Sequence, residues 1–491
     1  MSIDDKLNQL YVFPISDSDR AGHWNAIKSK CFYLSDWGIE NLRLGLDNYV
    51  KTVVLEKNYT CKDHRNLFSN FYSKKFRAPD SFCDRLHFFS MSFTDPADIK
   101  IKRDELADKY LGFSIIRDVK ERCLGRTIID PSKIGKNIEH DCFCLSTDFS
   151  ANIGGARYSV CGYPYMSQDT DATVCAHSAL WGVCRYLSQR FHFYKEVYPY
   201  DLIRMTGHME GRVIPYRGMT YTDYSAILTE FGCYPIILRV NNSGLKDIER
   251  FKDLYTYVES GFPVLASLSG HVVSLIGHTI DKTKSTYPDK DNIVDSSSFI
   301  KQFVVIDDNI FPYALLGYPG DNGNYGDLFP NKFNIDSIHT GVCPLPEKAF
   351  LPAEKARLKA VMHYKKIFPE IIGLGHKPPW VVRLLLTTCV SFKKRKLKLY
   401  IDNNNDRIAY FVTEMNLPHF IWLMELYTKD SYNNDQCIAE VVLDATAGNK
   451  EDGTLYMRVG NQLYFDDKKN TIEDVPVFFP QYTHNLGERT S

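Results

Sequence analysis

The chain has 491 residues, 44% hydrophobic and 24% charged; this globular balance excludes a largely disordered protein, and the length suggests about three domains. Lysine plus arginine number 59 and aspartate plus glutamate 60, so net charge gives no reason to expect nucleic acid or a membrane surface as partner. The opening MSIDDKLNQLYVF lacks the basic and apolar blocks of a secretory leader, and the longest apolar run, WVVRLLLTTCV, carries Arg383 and falls short of the ~18 residues of a membrane span. Thirteen cysteines with no CxxC pair then imply reduced thiols in the cytoplasm.

Residues 1–144 read as a mixed α/β region. KTVVLEKNY, RLHFFSMSF and YLGFSIIRDV have strand character, and RNLFSNFYSKKF reads as a helix with Leu67, Phe68, Phe71 and Tyr72 on one side. The Pro-, Gly- and Lys-containing stretch from Asp130 to Asn137 reads as a loop. Nearby, His140, Cys142, Cys144 and Cys161 form an irregular pattern that fits buried free thiols better than a zinc site, so no metal is expected.

Residues 145–345 place helices before strands. The first helix, about Thr173 to Arg190, carries an apolar stripe of Leu180, Val183, Cys184 and Leu187. YTDYSAILTEFG and LKDIERFKDLYTYVESG follow, stopped by Gly232 and Gly261. PVLASL, HVVSLIG and FVVID then read as strands, with 281–300 as a polar loop between the last two. Segregated helices and strands predict an α+β fold with an antiparallel sheet. Residues 346–491 open with the helix EKARLKAVMHYKKIF and continue with expected strands KLKLYID, RIAYFVT and CIAEVVLDA; the basic run Lys393 to Lys396 is read as a solvated strand end.

Chemistry concentrates in QDTDATVCAHSALWGVCRYL. Cys175 stands at a helix start, where free N–H groups and the helix dipole favour a thiolate. Gln168, seven positions upstream, can supply an amide donor to an oxyanion, with the Cys175 backbone N–H as a second donor. Taken singly, a cysteine at a helix start is usually a small core residue. His271 opens an apolar strand, with His278 as the competing imidazole in the same segment. A third segment, KQFVVIDDNIFPY, ends a strand in Asp307, Asp308 and Asn309, where a carboxylate can hold the second imidazole nitrogen. Both strand faces are apolar there. Position favours Asp307 as the orienting group, with Asp308 expected to cap the turn and kept as the alternate.

Gln, then Cys at a helix start, then SGFPV, then Gly270–His271 before an apolar strand, then a strand ending in Asp, resembles the papain-like cysteine peptidases. The nearest branch is that of the bacteriocin-leader-processing peptidases, which act on double-glycine leaders; the resemblance covers about residues 150–320. It departs in two ways. The family places Gln six residues before Cys, and follows Cys with Gly or Trp where this chain has Ala176 and His177. The resemblance implies a central papain-like domain, flanked by two domains of unassigned role, that hydrolyses a peptide or isopeptide bond without a cofactor. The expected partners are a protein or peptide substrate and a regulatory protein. A transglutaminase-type acyl transferase and a non-catalytic interaction protein on a peptidase scaffold are the alternatives.

Overall fold

In the computed structural model the apolar runs form three large sheets. The model describes residues 10–134, 142–169, 171–205, 218–242, 245–320, 333–402, 413–448, 450–460, 462–465, 468–471 and 478–483. The first sheet takes Leu10–Pro14, Thr52–Tyr59, Cys83–Phe89, Tyr110–Ile116 and Leu124–Ile129 in chain order, every pairing antiparallel. One face, with Val53, Leu55, Leu86 and Phe88, shares a core with the Cys175–Arg190 helix. The other is covered by a hairpin of Thr147–Ile153 and Ala156–Gly162. Strict alternation in that hairpin turns Phe149, Ala151, Tyr158 and Val160 inward, so it packs with the first sheet although it lies past residue 144.

The middle sheet runs Ala314–Gly317, Ile300–Ile306, His271–Ile280, Val264–Leu268, Thr340–Cys343, Ile236–Arg239 in spatial order, with Cys142–Cys144 paired to the far end of the His271 strand. Its two faces are both buried. Val272, Ile276, Val304 and Ile306 join the core of the Cys175 helix, while Val273, Leu275, Phe303 and Val305 join that of the Ile248–Glu259 helix and the third sheet. The helix stops fall where glycine is needed: Gly232 has φ 102° and Gly261 φ 92°.

The third sheet is built on Trp380–Thr388, Phe420–Thr428, Ala439–Asp444 and Thr454–Val459, backed by the Ala353–Gly373 helix. The Arg383-bearing run is thus a strand, and no helix among the described residues is long and apolar enough to cross a membrane. The molecule mixes helices with antiparallel sheets, an α+β arrangement. Three expectations change. KLKLYID is the end of the Cys389–Asp402 helix, not a strand. Within the basic run, Lys396 is buried with its ammonium 2.6 Å from both Glu440 oxygens, so that run is not a solvated strand end. The polar stretch 281–300 contains Ile293–Asp295, which pairs in parallel with Trp380–Val382 and so belongs to the third sheet. RIAYFVT lies almost wholly outside the described residues.

Candidate active site

Cys175 is the first residue of its helix, and Val174 before it is extended. The approach is shaped by Asp169, whose Oδ1 accepts the backbone N–H groups of Asp171 (3.1 Å), Ala172 (2.5 Å) and Thr173 (3.1 Å). Thr173 Oγ1 accepts the Asp169 N–H in return, at 2.9 Å. This side-chain turn takes up the seven-residue interval from Gln168 and delivers the half-buried thiol to the helix start, beside N–H groups that the helix leaves unpaired.

His271 is placed by a two-residue hairpin. Leu268 pairs with His271 across Ser269 and Gly270, and Gly270 supplies the left-handed φ of 74°. The imidazole Nε2–H donates to Asp307 Oδ2 at 2.8 Å, which leaves Nδ1 as the nitrogen for the Cys175 thiol. Burial by itself lowers the imidazole pKa; hydrogen bonds to Asp307 and to Cys175 outweigh it and raise the value to about 10. Phe333 lies nearly parallel to the ring, 6.1 Å between centroids.

Sheet register explains why Asp307 is the partner. Leu275 pairs with Val305, and both belong to the same core as Val273 and Phe303. Continuing the alternation puts His271 and Asp307 on one face. Asp307 also does the turn capping expected of its neighbour: its Oδ1 accepts the backbone N–H of Asn309 at 2.8 Å and the Asn309 amide at 3.0 Å. Asp308 does not cap the turn: its carboxylate is buried, and neither oxygen has a hydrogen-bond partner among the described residues. Burial, with the Asp307 charge beside it, pushes this carboxyl well above the usual range.

Gln168 reaches the same cluster. Its Nε2 donates to Asn309 Oδ1 at 3.5 Å, and the Arg122 guanidinium donates to that same oxygen. Arg122, Asn309 as an amide relay, and Phe333 were not singled out from the sequence. Arg122 sits in a turn of the first sheet with no motif around it, 187 positions from its partner. His177 is buried on the helix, its pKa lowered to about 4 by that burial, and its Nδ1 accepts the Val174 N–H at 3.4 Å.

His278 stands apart from this cluster. Seven residues along a strand amount to roughly 23 Å. Its Nε2 bonds Glu259, and its ring lies 5.0 Å from that of Tyr255 and 5.7 Å from that of Phe143. Arg383 Nε donates to the same glutamate at 2.6 Å. This is a buried structural ion cluster.

For a cation, His271, Asp307 and Asp308 offer ligand atoms within 4.8 Å of one another. A cation there would compete with the His271–Asp307 hydrogen bond and would need the Asp308 carboxyl ionised. Cys142, Cys144 and Cys161 line a shared cavity, with each thiol pKa raised by burial; His140 lies outside the described residues. The arrangement sets the Cys175 thiol at a helix start, hydrogen-bonded to an imidazole that the Asp307 carboxylate fixes and holds protonated. No protein-family model, curated protein or solved structure matches the chain, so the chemistry of this site is argued from its own geometry.

Proposed function

We propose that this protein is a papain-like cysteine peptidase that cleaves a peptide or isopeptide bond through Cys175, His271 and Asp307. One observation carries the reading: His271 is held between the Asp307 carboxylate, at 2.8 Å, and a thiol at a helix start. The Cys175 helix packed on an antiparallel sheet supports a papain-like core for the middle region. The Cys175 thiolate attacks the carbonyl carbon, and the oxyanion takes hydrogen bonds from the Cys175 backbone N–H and the Gln168 amide. His271 Nδ1 gives its proton to the leaving amine as the C–N bond breaks, leaving a thioester. Water then attacks the thioester while His271 takes back a proton, and the thiolate leaves. Asp307 holds the ring and stabilises its charged form. No step calls for a cofactor, and the reduced thiols fit a cytoplasmic enzyme acting on a protein or peptide.

The test is active-site labelling. A peptidyl electrophile added to the full chain should modify Cys175 well ahead of the other twelve cysteines, read by peptide mapping, and Cys175→Ala should abolish the fast phase. Labelling spread evenly over the exposed thiols would overturn the mechanism. An amine that traps the acyl group in place of water would move the reading to acyl transfer.

A further inference from the structure

At the opposite end of the His271–Ile280 strand a half-open pocket of about 440 Å³ is lined by residues of the middle and third sheets and the helices beside them, among others by His278, Lys282, Arg383, Arg395, Tyr255 and Tyr432. Its charges are nearly all matched. Arg383 is saturated by Glu259, Glu425 and the Tyr482 carbonyl, and Lys282 bonds Asp435 at 2.7 Å. Two groups are left over. The half-buried Arg395 makes no ion pair among the described residues, and its Nε is buried without a hydrogen-bond partner. His278, 3% exposed, spends Nε2 on Glu259 and has no partner at Nδ1. A buried guanidinium N–H and a buried imidazole nitrogen left bare each cost free energy in an isolated protein. A guest that hydrogen-bonds both removes that cost.

We propose that this cavity binds a small multiply charged oxyanion, a phosphate- or carboxylate-bearing molecule whose charged end accepts from Arg395 and whose polar atoms reach His278 Nδ1, with the remainder lying against Tyr255 and Tyr432. The volume suits a small molecule rather than a protein segment. Arginine presents a planar fork that matches either oxyanion, and its charge is the one the cavity leaves uncompensated. Because the walls come from both sheets, a bound ligand also clamps one against the other. The inference does not depend on the chemistry at Cys175.

The test uses the full chain with inorganic phosphate and, separately, succinate, at ionic strength fixed with chloride. Equilibrium dialysis and thermal unfolding are read together, since a ligand of the native state raises the midpoint as it saturates. One of the two anions should bind saturably to a single site, and Arg395→Gln should weaken it roughly ten- to a hundredfold, the loss of a charge-assisted hydrogen bond. Which anion binds tells a phosphate ligand from a carboxylate one. Arg395 has no ion pair among the described residues to lose, so the ligand-free variant should melt like wild type. Should it not, Lys282→Gln, which removes the charge at the cavity mouth, gives a second reading and is expected to weaken binding severalfold. Absence of saturable binding of either anion, or equal binding to wild type and variants, overturns the proposal.

Discussion

The two ends of the His271–Ile280 strand carry the same motif with different consequences. Each has an imidazole bonded through Nε2 to a carboxylate, His271 to Asp307 and His278 to Glu259. At the first end the imidazole is also hydrogen-bonded to the Cys175 thiol. At the second end Arg383 shares the glutamate, holding its pKa down to about 2 together with His278 against a burial that would raise it. A histidine–carboxylate pair is therefore not in itself a reactive dyad. What decides is whether the imidazole also faces a group that can react, as His271 faces Cys175.

The sharpest break in that comparison is alanine at each histidine. His271→Ala should slow alkylation of Cys175 by ~10²–10⁴, with a loss of melting temperature confined to the pH range in which its pairing with Asp307 persists. His278→Ala should leave alkylation at the wild-type rate and lower the melting temperature. Essentiality of His278 for labelling would overturn the assignment. Next comes Arg383→Ala, which strands Glu259 and Glu425 in the core. Breaking a buried pair costs about 3–5 kcal/mol, readable as a fall in urea midpoint, whereas Arg122→Ala at the site end should cost far less stability while loosening Asn309.

The pH dependence should separate the two ends further. The folded-state pKa of His271, about 10, lies above its ordinary ~6.5. Its pairing therefore stabilises the fold fully below pH ~6.5 and fades as pH rises through about 10. The melting-temperature gap between wild type and Asp307→Asn should be widest below pH 6.5 and close toward pH 10; a constant gap would assign the stabilisation to another group. The smallest effect belongs to Asp308→Asn. A carboxyl raised by burial favours the fold when protonated, so that contribution is full below ~3.9 and is lost as pH rises through about 7. The asparagine variant should gain on wild type between pH 4 and 7 with alkylation unchanged, and a variant that loses stability there would show that the carboxylate is needed ionised.

The site's components were legible because each sits at a boundary that sequence marks well: a helix start at Cys175, a glycine turn before His271, a strand end at Asp307. The choice between Asp307 and Asp308 was weaker. Both faces of that strand are apolar, and only the pairing of Leu275 with Val305 shows which face His271 shares. Register between strands 30 residues apart leaves no local trace. In KLKLYID lysine and leucine alternate as in a strand, although both favour helix, and burial of Lys396 against Glu440 fixes the outcome through a distant contact. The Ile293–Asp295 strand was hidden by its polar surroundings, since its partner lies beyond residue 379.

That borrowed strand bears on solubility. A chain ending near residue 345 keeps Cys175, His271 and Asp307 but loses Trp380–Val382, leaving Ile293–Asp295 as an open edge. It also strips the Ile248–Glu259 helix of its cover by the third sheet and the Ala353–Gly373 helix, exposing apolar side chains of that core. A bare edge beside an apolar face is a template for pairing with further copies. Shortened this way, the protein would collect in the insoluble fraction with its reactive residues intact, and the last 146 residues would prove their worth by keeping the rest dispersed.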